Sequence, residues 1–248
     1  MGNRLYNLGK MIGPKLRKGK WLWQSFTAGQ ADAIAAEEKV GRDLAAEIKD
    51  QVGLEEHSPY NQLLNEITAK LTTRVKNKHR SFNVLLVNQS EHNAFALPGG
   101  FIVITVSMVE MCQQDPDELA FILAHEMAHV ILRHAIGRIV SSTTFAAASK
   151  VAYARGPFVG WLRQAGMEYL QNSYSQRQEI DADTLAVRLT NAAGFDPAAG
   201  SRLFTRLSEQ IRPDSQFKLA RYFSSHPPFE VRIQNIDSLC SSDDHPEK

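Results

Sequence analysis

The sequence predicts an α+β fold, mostly helical, with a small antiparallel or mixed sheet. Three observations point there. Apolar residues recur at helical spacing over several long stretches. Short runs of strand character cluster between residues 83 and 106. Hydrophobic residues make up 43% and charged residues 22% of the 248, a globular mixture that excludes whole-chain disorder. The length suits one large domain, or a domain with an appendage.

The elements follow in order. Residues 29–50 are rich in Ala and Glu, contain no Pro and read as a helix. Residues 59–78 read as a second, with Leu63, Leu64, Ile67 and Leu71 on one face. Residues 83–87, Asn-Val-Leu-Leu-Val, read as a strand, and 93–97 as another extended run. Pro98-Gly99-Gly100 marks a turn before residues 101–106, the clearest strand of the chain. Asp115-Pro116-Asp117-Glu118 opens a helix, with Pro early and acids in the first turn, that runs to about Arg138. Residues 141–165 are rich in Ala, Ser and Gly and read as a helical lid or hairpin. A helix over 168–192 is closed by Gly194 and Pro197, and two more cover 198–210 and 228–239.

Charge divides the chain. Residues 1–31 carry six basic side chains and no acid, interleaved with Leu5, Tyr6, Leu8, Met11, Trp21 and Trp23. The rest holds 22 of the 28 basic residues against all 27 acids, a net of −5. This organisation gives a basic amphipathic extension over 1–31, a main domain over 32–240 and a polar tail over 241–248. The extension suits peripheral contact with an anionic membrane; a helix packed on the body is the plainer alternative. A total charge of +1 argues against a nucleic-acid binder. Cys112 and Cys240 are too few for a disulfide framework or a four-cysteine zinc site. No run suits a signal peptide or a spanning helix, so the expected location is cytoplasmic, at most peripheral to a membrane.

The chemistry resides in His125-Glu126-Met127-Ala128-His129. Histidines four apart stand on one helix face and can reach a single metal ion, for which zinc is the usual choice. Glu126 adjoins the first ligand and can take a proton from a metal-bound water. With eight histidines in the chain, chance yields roughly 0.015 such pentapeptides, so the motif is informative without being decisive. Its flanks, Leu119 to Ala124 and Val130 to Leu132, are apolar. Such a helix is buried, and burying two histidines and a glutamate without a partner is costly.

A catalytic zinc needs a third protein ligand and an open position. Glu179 and Asp183, four apart, share a helix face. Glu179 completes a His2Glu set around one Zn2+ per chain, and Asp183 fixes a ligand imidazole. Asp181 points to solvent. His134 is five residues beyond His129, off the ligand face, and His57, His79, His92 and His245 read as surface residues. His226-Pro227-Pro228 and Arg232 form a third element. His226 could donate to an oxyanion, and Arg232 could serve the same charge or lock local structure.

Together with Asn93 to Gly100 and the strand after it, these motifs resemble the zinc endopeptidase family of the CAAX prenyl proteases, HtpX and the Oma-type proteases (peptidase family M48). The resemblance covers residues 60–240 in the family's order. It implies a zincin-like fold with His125, His129 and Glu179 as metal ligands. It also implies Glu126 as general base and His226 as transition-state stabiliser. The strand after Gly100 is then expected at the cleft edge, where a peptide adds as a further strand. The spanning segments of the prenyl proteases and HtpX are missing, which points to the soluble single-domain branch. The expected function is zinc-dependent hydrolysis of peptide bonds in protein substrates, through a metal-bound hydroxide and the glutamate base. The alternatives are a catalytically silent zinc-binding chaperone or membrane-surface scaffold, and a hydrolase of non-peptide substrates.

Overall fold

The computed structural model describes residues 30–90, 92–134, 174–210 and 229–243. The basic head up to residue 29, the 141–165 lid or hairpin, the His226-Pro227-Pro228 element and residues 244–248 lie outside the described residues. Seven helices longer than a single turn frame a small sheet among those that are described. They are α1 (Gln30–Val52), α2 (Tyr60–Arg74), α3 (Val106–Met111), α4 (Pro116–Ile131), α5 (Gln176–Ala193), α6 (Ala199–Gln210) and α7 (Phe229–Asp243). The strands are β1 (Asn83–Val87), β2 (Ala94–Leu97) and β3 (Phe101–Thr105).

The sheet is mixed, in the order β1-β3-β2. β1 runs parallel to β3 with Leu85 opposite Val103, and β2 runs antiparallel to it with Phe95 opposite Val103. β3 is therefore the central strand, which corrects the expectation that the strand after Gly100 forms the cleft edge. Its residues Ile102 to Ile104 are completely buried, as an almost uninterrupted apolar run demands when both faces are covered. The outer strand beside α4 is β2. Val106, expected to end the strand, instead begins α3, because the Thr105 side chain accepts from the Met108 amide at 3.2 Å and caps a new helix.

Two glycines set how α1 meets the sheet. Gly99 has φ 73°, and a Cβ there would stand 2.2 Å from the Cα of Glu38. A Cβ on Gly41 would stand 1.8 Å from the Pro98 carbonyl oxygen. Helix and turn thus interlock backbone to backbone, which no larger residue permits. The buried positions of α1 (Ala33, Ile34, Glu37, Gly41, Leu44 and Ala45) follow the 3.6-residue period, and one of them is a glutamate.

α4 is the axis of the molecule. Every residue from Glu118 to Val130 is buried, so this helix has no solvent face. Asp115 caps it, accepting from the Asp117 amide at 2.8 Å. Glu118 is paired with Arg206 of α6, and Asp117 accepts from the Asp196 amide at 3.1 Å. Leu119, Leu123 and Met127 enter a core shared with Leu64 and Leu71 of α2, Ile104 of β3, Val187 of α5 and Leu203 of α6. α4 ends at Ile131, one to two turns before the expected Arg138. α5 begins with a reciprocal cap between Ser175 and Gln178 and ends at Gly194 with φ 83°.

Candidate metal centre

α4 and α5 pack side by side and turn three side chains toward one point. The Nε2 atoms of His125 and His129 are 3.0 Å apart. Glu179 reaches both, with Oε2 3.4 Å from His125 Nε2 and Oε1 3.4 Å from His129 Nε2. Ligand atoms held about 2.0–2.1 Å from a tetrahedral ion are about 3.3 Å from one another, so the three donors are spaced as a common ion requires. All three residues are buried, and their ligand atoms lie within 4.8 Å of one another. Two neutral imidazoles and a carboxylate form the donor set of catalytic zinc sites. Glu126, adjacent to His125, is also buried, at 1% exposure.

The two imidazoles are held by different means. His125 Nδ1 donates to Asp183 Oδ1 at 2.9 Å, which leaves Nε2 with the lone pair that a metal needs. Asp183 in turn accepts a two-pronged contact from Arg232 of α7, Nε to Oδ2 at 2.9 Å and Nη2 to Oδ1 at 2.7 Å. Arg232 Nη1 also stands 3.3 Å from Glu179 Oε2. Arg232 is completely buried, with its guanidinium 4.1 Å over the ring of Phe204. Of the two roles open to it in the sequence, this geometry matches locking of local structure.

Burial and the Arg232 charge oppose protonation of His125. The hydrogen bonds to Asp183 and Glu179 outweigh them, so with no ion bound its pKa is pushed up to about 9. Burial also works against the Asp183 carboxylate, but Arg232 and His125 more than offset it and hold its pKa below the ordinary 3.8.

Apart from the Glu179 carboxylate that both imidazoles share, His129 is flanked by aromatic rings. The Tyr174 ring stacks on it at 3.8 Å between centroids, with an 11° angle between planes. His134 brings Nδ1 to 3.1 Å from His129 Nδ1. Burial lowers the pKa of His134. Helical spacing places residue 134 off the ligand face, but α4 stops at Ile131 and Arg133 adopts φ 63°. The chain folds back there and returns His134 to His129. Sequence reasoning missed both His134 and Tyr174. The signal for Tyr174 is its place directly before the Ser175 cap, which fixes it at the mouth of α5.

Of the other expectations, Asp181, His57 and His79 are exposed, while His92 is half-buried and joined to the Ser107 carbonyl at 2.8 Å. His226 and His245 lie outside the described residues.

Comparison with known proteins identifies the family. The family model of peptidase family M48 matches residues 59–240. The chain belongs to this metallopeptidase family. The matched M48 region begins at the start of α2 and takes in both site helices and most of α7. Curated relatives include the mitochondrial metalloendopeptidase OMA1 of Schizosaccharomyces pombe, 27% identical over 81% of this chain and 60% of that protein. The beta-barrel assembly-enhancing protease of Escherichia coli is 26% identical over 82% of this chain and 42% of its own length. The metalloprotease LoiP of Escherichia coli is 27% identical over 75% of this chain and 73% of that protein. The M48 chain thus spans less than two thirds of the length of the first two relatives. No helix among its described residues is long and apolar enough to cross a membrane.

Proposed function

We propose that this chain is a zinc-dependent endopeptidase that cleaves peptide bonds within protein substrates. The observation that carries the reading is the meeting of His125, His129 and Glu179, buried and with ligand atoms within 4.8 Å. These three residues would hold one zinc ion. When bound there, zinc supplies Lewis acidity, which makes a water nucleophilic near neutral pH and polarises a carbonyl.

The chain's own residues do the rest. Asp183 keeps the proton of His125 on Nδ1, and Arg232 keeps Asp183 ionised and in place. Glu126, next to His125, accepts the proton of the attacking water and returns it to the leaving amine. His226, assigned through the family resemblance alone, donates to the oxygen on which charge develops. β2, the outer strand beside α4, is where an extended peptide would align through main-chain hydrogen bonds. Residues 1–31 would hold the protein at an anionic membrane surface, which cosedimentation with phosphatidylserine vesicles, with and without that segment, checks directly.

Casein digestion with and without a chelator, together with metal analysis, tests the main reading. The Glu126→Gln variant is expected to keep its ion and to lose about 10²–10⁴-fold in turnover. Cleavage by that variant at the wild-type rate would sink the assignment of the base. Undiminished cleavage in chelator would sink the metal reading. A loaded protein inert toward every peptide and non-peptide substrate would favour a silent zinc-binding scaffold.

A further inference from the structure

A buried carboxylate outside the site points toward it. Glu37 lies in the apolar stripe of α1 at 2% exposure. Its Oε2 accepts from Arg80 Nη1 at 3.2 Å, and its Oε1 accepts from Arg133 Nε at 2.8 Å. Arg133 is 96 residues away in sequence. It is also one of three non-glycine residues with positive φ among the described residues. The left-handed conformation costs an ordinary L-residue about 1–2 kcal/mol, and it persists where surrounding contacts fix it. One such contact here is the ion pair with Glu37. The result is the fold-back that sets His134 Nδ1 3.1 Å from His129 Nδ1.

The protons of that pair follow from geometry. His129 Nε2 faces Glu179, so it must carry the lone pair in any metal-holding form. The ring proton is then on Nδ1, and His134 Nδ1 must accept it.

We propose that Glu37 is a positioning residue for the metal centre: through Arg133 it holds His134 where it accepts from His129 and fixes that ligand's tautomer. α1 thereby becomes part of the apparatus that shapes the centre. The inference rests on the proposed metal-site reading and extends it to a residue in front of the matched family region.

The test is zinc affinity of the full-length chain, by competition with a chromophoric chelator, supported by the ligand-field bands of the cobalt-substituted protein. Loss of a residue that orients a ligand histidine typically costs 10–100-fold in affinity. His134→Ala and Glu37→Gln are each expected to weaken zinc by about tenfold, at the lower end of that range. His134→Asn, which keeps an acceptor near the Nδ1 position, should restore most of the loss. Arg133→Gly tolerates φ 63° without strain but deletes the guanidinium that Glu37 holds, and should weaken zinc by about as much as Glu37→Gln, about tenfold. In its background Glu37→Gln should add little, since the two act in series.

Wild-type affinity in both Glu37→Gln and His134→Ala would overturn the proposal, with loss of thermal stability alone marking Glu37 as a structural residue. An undiminished effect of Glu37→Gln in the Arg133→Gly background would overturn the route through Arg133. A wild-type chain that binds no zinc at all would instead refute the metal reading itself. If Glu37→Gln does not fold, the two His134 variants and Arg133→Gly still decide the matter.

Discussion

His125 and His129 stand one turn apart on the same helix, yet opposite kinds of chemistry hold them. The His125 side is ionic. Asp183, Glu179 and Arg232 surround it, all buried, with contacts of 2.7 to 3.4 Å. The His129 side, apart from the Glu179 oxygen that both imidazoles share, is aromatic, built from the Tyr174 face and the His134 nitrogen. The difference teaches that a ligand can be oriented at very different risk. A buried ion network is strong only while complete, because any orphaned charge bears its whole desolvation cost. A stacked ring loses only its own contact area when it is removed.

The comparison can be broken most severely at Arg232. Arg232→Ala leaves the Asp183 carboxylate buried without its guanidinium, and should destabilise the fold by about 3–5 kcal/mol, read from the midpoint of urea unfolding. A loss below about 1 kcal/mol would mean that water reaches Asp183 and that the ionic side is less dry than its burial indicates. Asp183→Asn is gentler. It keeps the shape but removes the charge that orders His125, and should weaken zinc about 10–100-fold in chelator competition, with most of the folding stability retained.

Acidity separates the two sides next. In metal-stripped protein the folded-state pKa of His125 is raised from 6.5 to about 9. The stability it contributes is therefore fully present below pH 6.5 and is lost as pH rises through about 9. Asp183 behaves oppositely. Its pKa is lowered from 3.8, so its contribution is present above that value and is lost as pH falls through the lower folded one. Urea midpoints of stripped protein should thus decline from pH 6.5 toward 9. Zinc loading should flatten or reverse this trend, since metal and proton compete for His125 Nε2. A stripped protein equally stable at pH 6 and 9 would contradict the ionic account. The smallest effect belongs to Tyr174→Leu, which forfeits a stacking contact worth about 0.5–1.5 kcal/mol and should spare the urea midpoint far more than Arg232→Ala does.

Much of this was legible beforehand because it is local. β1 was readable to its exact ends although it is an outer strand, since Val84 to Val87 form a short apolar run flanked by Asn83 and Asn88. The pairings of His125 with His129, and of Glu179 with Asp183, follow from helical spacing alone. The head of α4 announced itself through Asp115, Pro116 and the acids that follow. Its tail did not. Whether a helix continues past Ile131 depends on what catches the chain there, and the catch is Glu37, far away in sequence. The same blindness placed the cleft edge at β3. Strand order is a matter of which non-neighbouring segments pair, and nothing in residues 101–105 says that β1 flanks them as well as β2.

By itself, then, the sequence determined the helices that carry the candidate donors, the residue types that stand at those positions, and the buried character of the helix beneath them, all consequences of side-chain type and backbone period. Tertiary structure alone decided how each donor is steered. Arg232 meets His125 across 107 residues, and Glu37 meets Arg133 across 96. The physical reason is that burial makes every charge seek a partner, while which partner lies within reach is fixed only when separate helices come to rest against one another.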